Sequence, residues 1–386
     1  MAYSTSAMRP FEARLSSRVV FGPGTMSRLG ALTRDLGSRR ALLVADSGIV
    51  AAGYVDRAVS LLDEAGIDVC PFHEFGANPD SRMVEVGRVQ AVSAGVDAIV
   101  ALGGGSSLDC AKGINFVLTN GGSMSDYRGY GKATRPMLPM VGVPTTAGTG
   151  SDAQSYALIS DAVTHAKMAC GDSKAAFRTV ILDPELTVSQ PRMVTAVSGI
   201  DAISHAVESY VTTRRTELSD MFAREAWRLL ESNYERVLLA PDDVGARGAM
   251  LLGAHEAGMA IEQSMLGAAH ACANPLTARY GTPHGVAIGV MLPHVVRWNA
   301  AQVGERYAEL LRISGGADEP DAGARLANRL AALVRAGGLP ATLGELGVSR
   351  GDLTSLSADA ATQWTGTCNP RAFDAEAALA LYEQAY

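Results

Sequence analysis

The sequence predicts a two-domain α/β protein: an N-terminal parallel sheet covered by helices, then a C-terminal domain of helices alone. Three observations predict it. The first half alternates short, continuously apolar runs with helical stretches, as strands buried on both faces and their covering helices do. From about Pro191 the apolar residues recur at helical spacing, with few β-rich runs. At about 150 residues per domain, 386 residues suit two domains better than one or three. The boundary is expected near residue 190, giving domains 1–190 and 191–386.

Taken in order, Arg18–Phe21 reads as a strand and Ala41–Ala45 (ALLVA) as a buried strand. Val55–Ala65 reads as a helix stopped by Gly66, Ile67–Phe72 as a strand and Met83–Ala94 as a helix. Ala98–Leu102 (AIVAL) is a second buried strand, Ser106–Leu118 a helix, and Met140–Val143 a strand before Pro144. In the second half Thr195–Val211, Leu218–Leu239, Val244–Gln263, Gly285–Asn299, Ala322–Ala336 and Asp374–Ala385 carry helical spacing. Pro241, Gly315-Gly316, Gly337-Gly338 and Pro370 break them. No internal repeat or low-complexity linker appears, and a cleft between two such domains is a common ligand site.

Composition narrows the function. Hydrophobic residues at 47% and charged residues at 19% exclude a disordered or collagen-like chain. A net charge of −7 without any Lys/Arg run argues against duplex nucleic acid as a partner. The five cysteines (Cys70, Cys110, Cys170, Cys272, Cys368) are odd in number, far apart and without a CxxC pair. They suit a reducing cytoplasm rather than a disulfide framework or a cysteine zinc site. The longest apolar stretches, such as Gly285–Pro293, fall short of the ~20 residues that span a bilayer, so no membrane is expected. The N-terminus lacks a signal-peptide core; its Ser/Arg content is that of a transit peptide, but Glu12 and the strand-like Arg18–Phe21 favour a short ordered arm.

The 41 glycines (41/386, about 11%) exceed the usual ~7%. Gly103, Gly104, Gly105 and Ser106 directly follow AIVAL and open a helix. Without Cβ atoms, backbone N–H groups can come close to a phosphate at the positive end of the helix dipole. The alternative is a plain strand–helix turn. Ser106 and Asp109 have capping-box spacing, which predicts the helix start at Ser106. The loop is not the G-x-G-x-x-G fingerprint, whose acid follows ~20 residues later. The candidate acid, Asp46, ends an earlier strand instead. It can bond ribose hydroxyls and repel a 2′-phosphate, favouring NAD over NADP, or equally cap the next helix. A second loop, Pro144–Asp152, is dense in hydroxyls and glycine, suited to phosphate or ribose oxygens or to a solvated turn.

Asp201 and His205, at i and i+4, lie on one face of a predicted helix. His270 and His284 follow. One carboxylate with three imidazoles suits a divalent first-row metal such as Fe(II), Zn or Co, whereas Mg or Ca would want more oxygens. Each histidine alone is more often a core or capping residue, and the spacing leaves both readings open. His294 and His255 stand nearby in helical segments; His73 and His165 read as surface or loop residues.

With these residues in view, the chain resembles the iron-containing (group III) alcohol dehydrogenase family from about Arg18 to its C-terminus. The resemblance rests on GGGSSLDCAK (103–112), PTTAGTGSD (144–152), LDPELT (182–187), SGIDAISHAVESY (198–210), GTPHGVAIGVMLPHVVRWN (281–299) and NPR (369–371). It implies a Rossmann-like N-terminal domain and a helical C-terminal domain, the architecture also of dehydroquinate synthase, with metal and nicotinamide meeting in the cleft. By position, it implies metal ligands at Asp201, His205, His270 and His284, with iron preferred although the Irving–Williams order favours zinc. It implies a pyrophosphate loop at Gly104, Gly105 and Ser106, a ribose acid at Asp46, and cofactor contacts at Thr145, Thr146, Thr149 and Lys167. Tyr156 and Leu186 match positions lining the nicotinamide.

The sequence departs from the family in three places. Ser151-Asp152 replaces the commoner Ser-Glu, and Gln154 stands where a small hydroxyl residue is frequent. Asn274 stands where many members carry a second histidine, four residues after the first, that passes protons to solvent. Asn274 cannot titrate, though it can orient a water or the cofactor ribose.

The implied function is a metal-dependent, NAD(P)-linked alcohol dehydrogenase or aldehyde reductase, passing hydride between nicotinamide C4 and a small metal-bound alcohol or aldehyde. An acid-bearing substrate would want Arg or Lys near the metal, and Arg279 lies between two of the histidines in sequence. The competing readings are an NAD- and metal-dependent lyase of the dehydroquinate-synthase type and a non-catalytic NAD- or metal-binding protein. Apolar helical surfaces in the second half suit a homodimer or a higher homo-oligomer.

Overall fold

The computed structural model describes residues 10–13, 15, 17–317 and 320–386. The question of an N-terminal leader falls on residues 1–9, outside the described residues. Two compact units emerge: Ser16–Pro191 with Pro241–Leu252, and Arg192–Ala240 with Gly253–Tyr386 and the described residues up to Leu15.

The first unit is built on six parallel strands. In chain order its elements are β1 (Arg18–Phe21), α1 (Leu29–Asp35), β2 (Arg40–Val44), α2 (Ser47–Ala51), α3 (Tyr54–Glu64), β3 (Asp68–Phe72), α4 (Ser81–Ala94), β4 (Ala98–Gly103) and α5 (Gly105–Asn120). β5 (Gly129–Tyr130), β6 (Met140–Pro144), β7 (Tyr156–Ser160), β8 (Lys167–Gly171) and β9 (Thr179–Leu182) follow. The large sheet runs β1-β9-β6-β4-β2-β3, and every pair in it is parallel. β4, β6 and β9 are buried at every position, which is why their sequences are continuously apolar instead of alternating. One face buries Leu43, Val100, Leu102, Val141 and Val143 against Leu29, Leu32, Val55, Ala58 and Leu62 of α1 and α3. Each such Val or Leu side chain contributes about 1.5–3 kcal/mol of transfer free energy.

From β2 the chain moves outward to β3, then returns to β4 on the other side of β2 and continues outward to β6. The order therefore reverses between β2 and β4, and ligands of doubly wound sheets bind beyond the strand C-termini at such a switch point. Asp46 follows one of these two strands and Gly103–Gly105 the other. The parallel sheet expected from the apolar runs is present. A small second sheet, β5-β8-β7, was not expected; its strands are short and only half buried, so they lack a strong apolar signal.

Beyond α8 (Val244–Glu262), in which the division of units falls, the second unit is helical. It comprises α6 (Arg192–Val211), α7 (Glu217–Leu239), α9 (Ala268–Tyr280), α10 (His284–Ile313), α11 (Ala322–Gly337), α12 (Leu353–Ala361) and α13 (Ala375–Gln384). α6 packs on α7, α10 and α11, and α9 packs on α10 and α12. Two polar anchors fix this core: Trp227 Nε1 donates to the Leu310 carbonyl at 2.8 Å, and Tyr234 Oη to that of Ala196 at 3.1 Å. α10 runs on past the expected stop at Asn299, with a kink at Val303 (φ −133°). α9 and α12 were not expected. No helix among the described residues is long and apolar enough to cross a membrane.

Candidate metal centre and nucleotide loops

In the second unit, Asp201 and His205 project from one face of α6, a turn apart. His270 lies in the first turn of α9, and His284 is the first residue of α10. Asp201 Oδ1 lies 3.4 Å from His205 Nε2, 3.8 Å from His270 Nε2 and 3.8 Å from His284 Nε2. One ligand atom each from Asp201, His270 and His284 falls within 4.8 Å of the other two. Asp201, His205 and His270 are buried, and His284 is partly open. The His205 and His270 rings stack at 5.0 Å.

These separations exceed a good hydrogen bond. Asp201 Oδ1 and His270 Nε2 are buried with no hydrogen-bond partner among the described residues. Such groups are costly to bury unpaired, and a divalent cation between them would satisfy both. One carboxylate oxygen and three imidazole nitrogens fit a first-row transition ion. Electrostatics point the same way. Burial opposes ionisation of Asp201, but His205, His270 and His284 outweigh it and hold the carboxyl well below its usual range. Burial likewise opposes a charged His270, yet Glu208 and Asp201 push its imidazole up to about 9. The cluster is a site built for added positive charge.

The helices reach one another because glycine clears the way. α10 starts against α6, and a Cβ on Gly285 would stand 2.2 Å from the Val197 carbonyl oxygen. Any side chain there must move the helix that carries His284. α9 begins at Gly267 without a side-chain cap of its own. Its first amides are met from elsewhere: Ala268 N–H by Asn369 Oδ1 at 3.2 Å and Ala269 N–H by Glu208 Oε1 at 2.7 Å. Glu208 Oε2 also bonds His270 Nδ1. Sequence reasoning missed Glu208. Its spacing was the available signal, since i+3 from His205 and i+7 from Asp201 put it on the same face of α6.

Asn274 follows His270 by one turn on α9; its Nδ2 donates to Gln363 Oε1 at 3.0 Å. Arg279 points away to an acidic surface group, bonding Ser355 Oγ and Asp359 (3.3 Å), with Asp352 at 3.8 Å. It is not held toward the histidines.

In the first unit the two glycine-bearing loops lie together, because β4 and β6 are neighbours with Gly103 in register with Pro144. Thr145 N–H donates to the Gly103 carbonyl at 3.0 Å. A Cβ on Gly104 would lie 3.2 Å from Thr146 Cγ2, and one on Gly105 2.7 Å from Thr149 Cγ2. Gly103 has φ +145°, a conformation reserved for glycine. The expected capping box does not form. α5 starts at Gly105, with Gly104 as N-cap and no side-chain cap, because glycine lets the chain enter the helix a residue earlier. Ser106 is thus inside the first turn, its Oγ accepting from Asn78 N–H at 3.2 Å. Asp109 turns inward, where burial pushes its carboxyl up to about 6 against the pull of Lys112 and Lys167.

Asp46 does two things at once. Oδ1 caps α2 through Gly48 and Ile49 N–H (2.9 and 3.2 Å), while Oδ2 accepts from Ser107 Oγ at 3.0 Å, beside the glycine loop. Tyr156 and Lys167 open β7 and β8 and pair across them through Gly171 and Ser160 respectively. Lys112 Nζ fastens the end of the second loop through the carbonyls of Ser151 (2.6 Å), Gln154 and Tyr156 (2.9 Å). Leu186 is the other residue that the resemblance places beside the nicotinamide. It is 1% exposed, inside the first unit's apolar core. Asp183 pulls the Pro184–Thr187 turn inward by accepting from Gly24, Met26 and Glu185 N–H.

Comparison with known proteins agrees with this geometry. A family model described as iron-containing alcohol dehydrogenase matches residues 16–184, and one for the C-terminal part of that family matches 195–386. The chain is 33% identical to the NAD-dependent methanol dehydrogenase of Bacillus methanolicus over 91% of its length and 93% of that protein. It is also 33% identical to the 1,3-propanediol dehydrogenase of Klebsiella pneumoniae, over 98% and 99%. A crystal structure of 1,3-propanediol oxidoreductase superposes with TM-score 0.94 at 33% identity, covering 98% of this chain and all of that one (100%). Sulfoacetaldehyde reductase from Bifidobacterium kashiwanohense, solved with NAD+, gives TM-score 0.89 at 25% identity, over 98% and 99%. The motifs had pointed to the same place, and the chain belongs to the iron-containing alcohol dehydrogenase family, as an oxidoreductase of alcohols and aldehydes.

Proposed function

We propose that this chain is an NAD(H)-preferring, Fe(II)-dependent dehydrogenase of small uncharged alcohols and diols, in which residues 1–190 hold the nucleotide and 191–386 the metal. The observation that carries the proposal is the convergence of three imidazole Nε2 atoms on Asp201 Oδ1, with buried atoms left unbonded. Asp201, His205, His270 and His284 would hold the ion. When bound, the metal supplies Lewis acidity toward a carbonyl oxygen and the nicotinamide supplies or accepts hydride. Asp201 cancels one of two positive charges, leaving about +1 to stabilise developing negative charge.

The nucleotide reading is supported by the chain's own residues. Gly103, Gly104 and Gly105, with Ser106, leave the first turn of α5 open to a pyrophosphate. Thr145, Thr146 and Thr149 border that loop, and Lys167 and Tyr156 sit at the strand ends that follow. Asp46, beside the loop, disfavours a 2′-phosphate. Asn274 orients but carries no proton, so the proton of the alcohol leaves by another group or by water. Arg279 is committed to Asp359 and Ser355, which favours a neutral substrate over an anionic one. Methanol and 1,3-propanediol, named for two relatives, are of that class. Iron over zinc follows the family, and metal supply can decide between them. A homodimer in a reducing cytoplasm completes the proposal. Half-exposed Val19 and Phe21 on edge strand β1, and five free cysteines, support it.

Elemental analysis of the purified protein, then an aldehyde panel with NADH and NADPH, tests the reading. It predicts about one iron per chain and faster NADH oxidation with neutral aldehydes than with acidic ones. Metal-free protein of full activity would refute it.

A further inference from the structure

We propose that Glu208 is a positioning residue that fixes which nitrogen of His270 carries the proton, and so makes His270 Nε2 a lone-pair donor. The inference rests on the metal-site reading above. Glu208 is 4% exposed, and its two oxygens are both used: Oε1 accepts from Ala269 N–H at 2.7 Å and Oε2 bonds His270 Nδ1. An ionised carboxylate only accepts, so Nδ1 must be the donor. A neutral imidazole has one N–H, which leaves the lone pair on Nε2, the atom that faces Asp201 Oδ1 at 3.8 Å. One carboxylate thus ties the start of α9 to the orientation and tautomer of the ring it carries. A ligand histidine backed by a carboxylate is both better oriented and more basic.

The arrangement is tightly enclosed. A Cβ on Gly267 would lie 3.0 Å from Glu208 Oε1 and 3.0 Å from Asn369 Oδ1. Asn369 is in turn locked to Asn299 by paired amide bonds of 2.8 and 3.0 Å. Glu208 therefore has little room to be replaced by water or by a tilted ring.

Glu208→Gln keeps the shape and an acceptor for Ala269 N–H, but aims an amide N–H at His270 Nδ1. That drives the proton to Nε2 and removes the lone pair; flipping the amide instead sets NH2 against Ala269 N–H. Zinc affinity by chelator competition should fall about 10- to 100-fold in Glu208→Gln, with melting temperature kept within a few degrees. Metal-free protein gives the second readout. Imidazole 15N spectra followed upward in pH until the ring is seen to hold a single proton should show His270 protonated at Nδ1 in the natural protein and at Nε2 in Glu208→Gln, with His270→Ala giving the assignment. Unchanged zinc affinity in Glu208→Gln, or Nε2–H in the natural protein, overturns the proposal. If instead Asp201→Asn binds zinc as tightly as the natural protein, the metal-site reading fails, and the spectra still decide the tautomer.

Discussion

The nucleotide loops and the metal cluster solve opposite problems. At the loops the useful chemistry is backbone, and what the sequence supplies is the absence of side chains: a Cβ on Gly105 would collide with Thr149 at 2.7 Å, and one on Gly104 would press on Thr146 at 3.2 Å. At the cluster the chemistry is four side chains, and what must be supplied is their convergence from α6, α9 and α10. The loops are assembled by two adjacent strands in fixed register. The cluster depends on helix packing, on a glycine at 285 that admits α10 to α6, and on Glu208 and Asn369, which cap α9 from a distance. The first region should therefore fail by added volume and the second by lost charge or lost register.

The largest effect is expected from His270→Ala. It removes one of three imidazoles and leaves Asp201 and Glu208 as buried carboxylates facing an emptied position. Metal content should fall below about a tenth per chain and kcat by about 1,000-fold or more, the scale on which a Lewis acid worth several kcal/mol acts. Elemental analysis and turnover on the same sample check it, and retained metal with full turnover would break the contrast at its root. Next comes Gly105→Val, which drives carbon into Thr149. NAD+ affinity by fluorescence titration should weaken about 10- to 100-fold, while iron content stays at the natural level. Loss of iron in that variant would show that the two regions do not fail separately.

How much of this was legible follows from what each element buries. β2, β4 and β6 were readable because strands covered on both faces are apolar throughout. α9 was not, although it carries His270. Its residues 268–273 are all buried, so no amphipathic stripe marks it, and Pro275 interrupts the pattern. The four candidate ligands and the glycine loops stood out by motif. Ser106 was misread as a helix cap because the spacing rule does not register that a preceding glycine can take that place. Glu208 was passed over because a lone glutamate on a helix is ordinarily solvated; its spacing placed it on the ligand face, but only the fold shows it buried between an amide and a ring.

Asp46 sharpens the loop side of the contrast, because it sets a negative charge beside a loop whose other groups are mostly backbone. Asp46→Gly removes the carboxylate that would face a 2′-phosphate. NADP+ affinity should rise about 10-fold relative to NAD+, by roughly 1.4 kcal/mol. The same change removes the side-chain cap of α2, and because glycine is itself tolerated at an N-cap the accompanying loss of stability should be only a few tenths of a kcal/mol. A lower melting temperature without any shift in cofactor ratio would leave Asp46 as a cap alone.

The smallest effect tests the electrostatic half of the contrast with a second buried carboxylate in the helical unit. Asp201 is held low because imidazoles surround it. Glu256, on α8, has the opposite surroundings: burial and then the nearby Glu225 push its carboxyl up to about 7, with His255 and Arg228 opposing. Its Oε2 is buried without a hydrogen-bond partner among the described residues. The sign follows from linkage. The folded value lies above the ordinary 4.5, so the folded protein prefers the protonated acid, and the stability this carries is full below about 4.5 and is lost as pH rises through about 7. Glu256→Gln removes the titration. Between pH 5 and 8 the natural protein should lose about 1 kcal/mol more than the variant, discounted for partial exposure, or about 2–4 °C in melting temperature. Melts at the two pH values check it. Parallel losses in both proteins would mean that Glu256 ionises without cost, and that burial alone does not set a carboxylate's state in this unit.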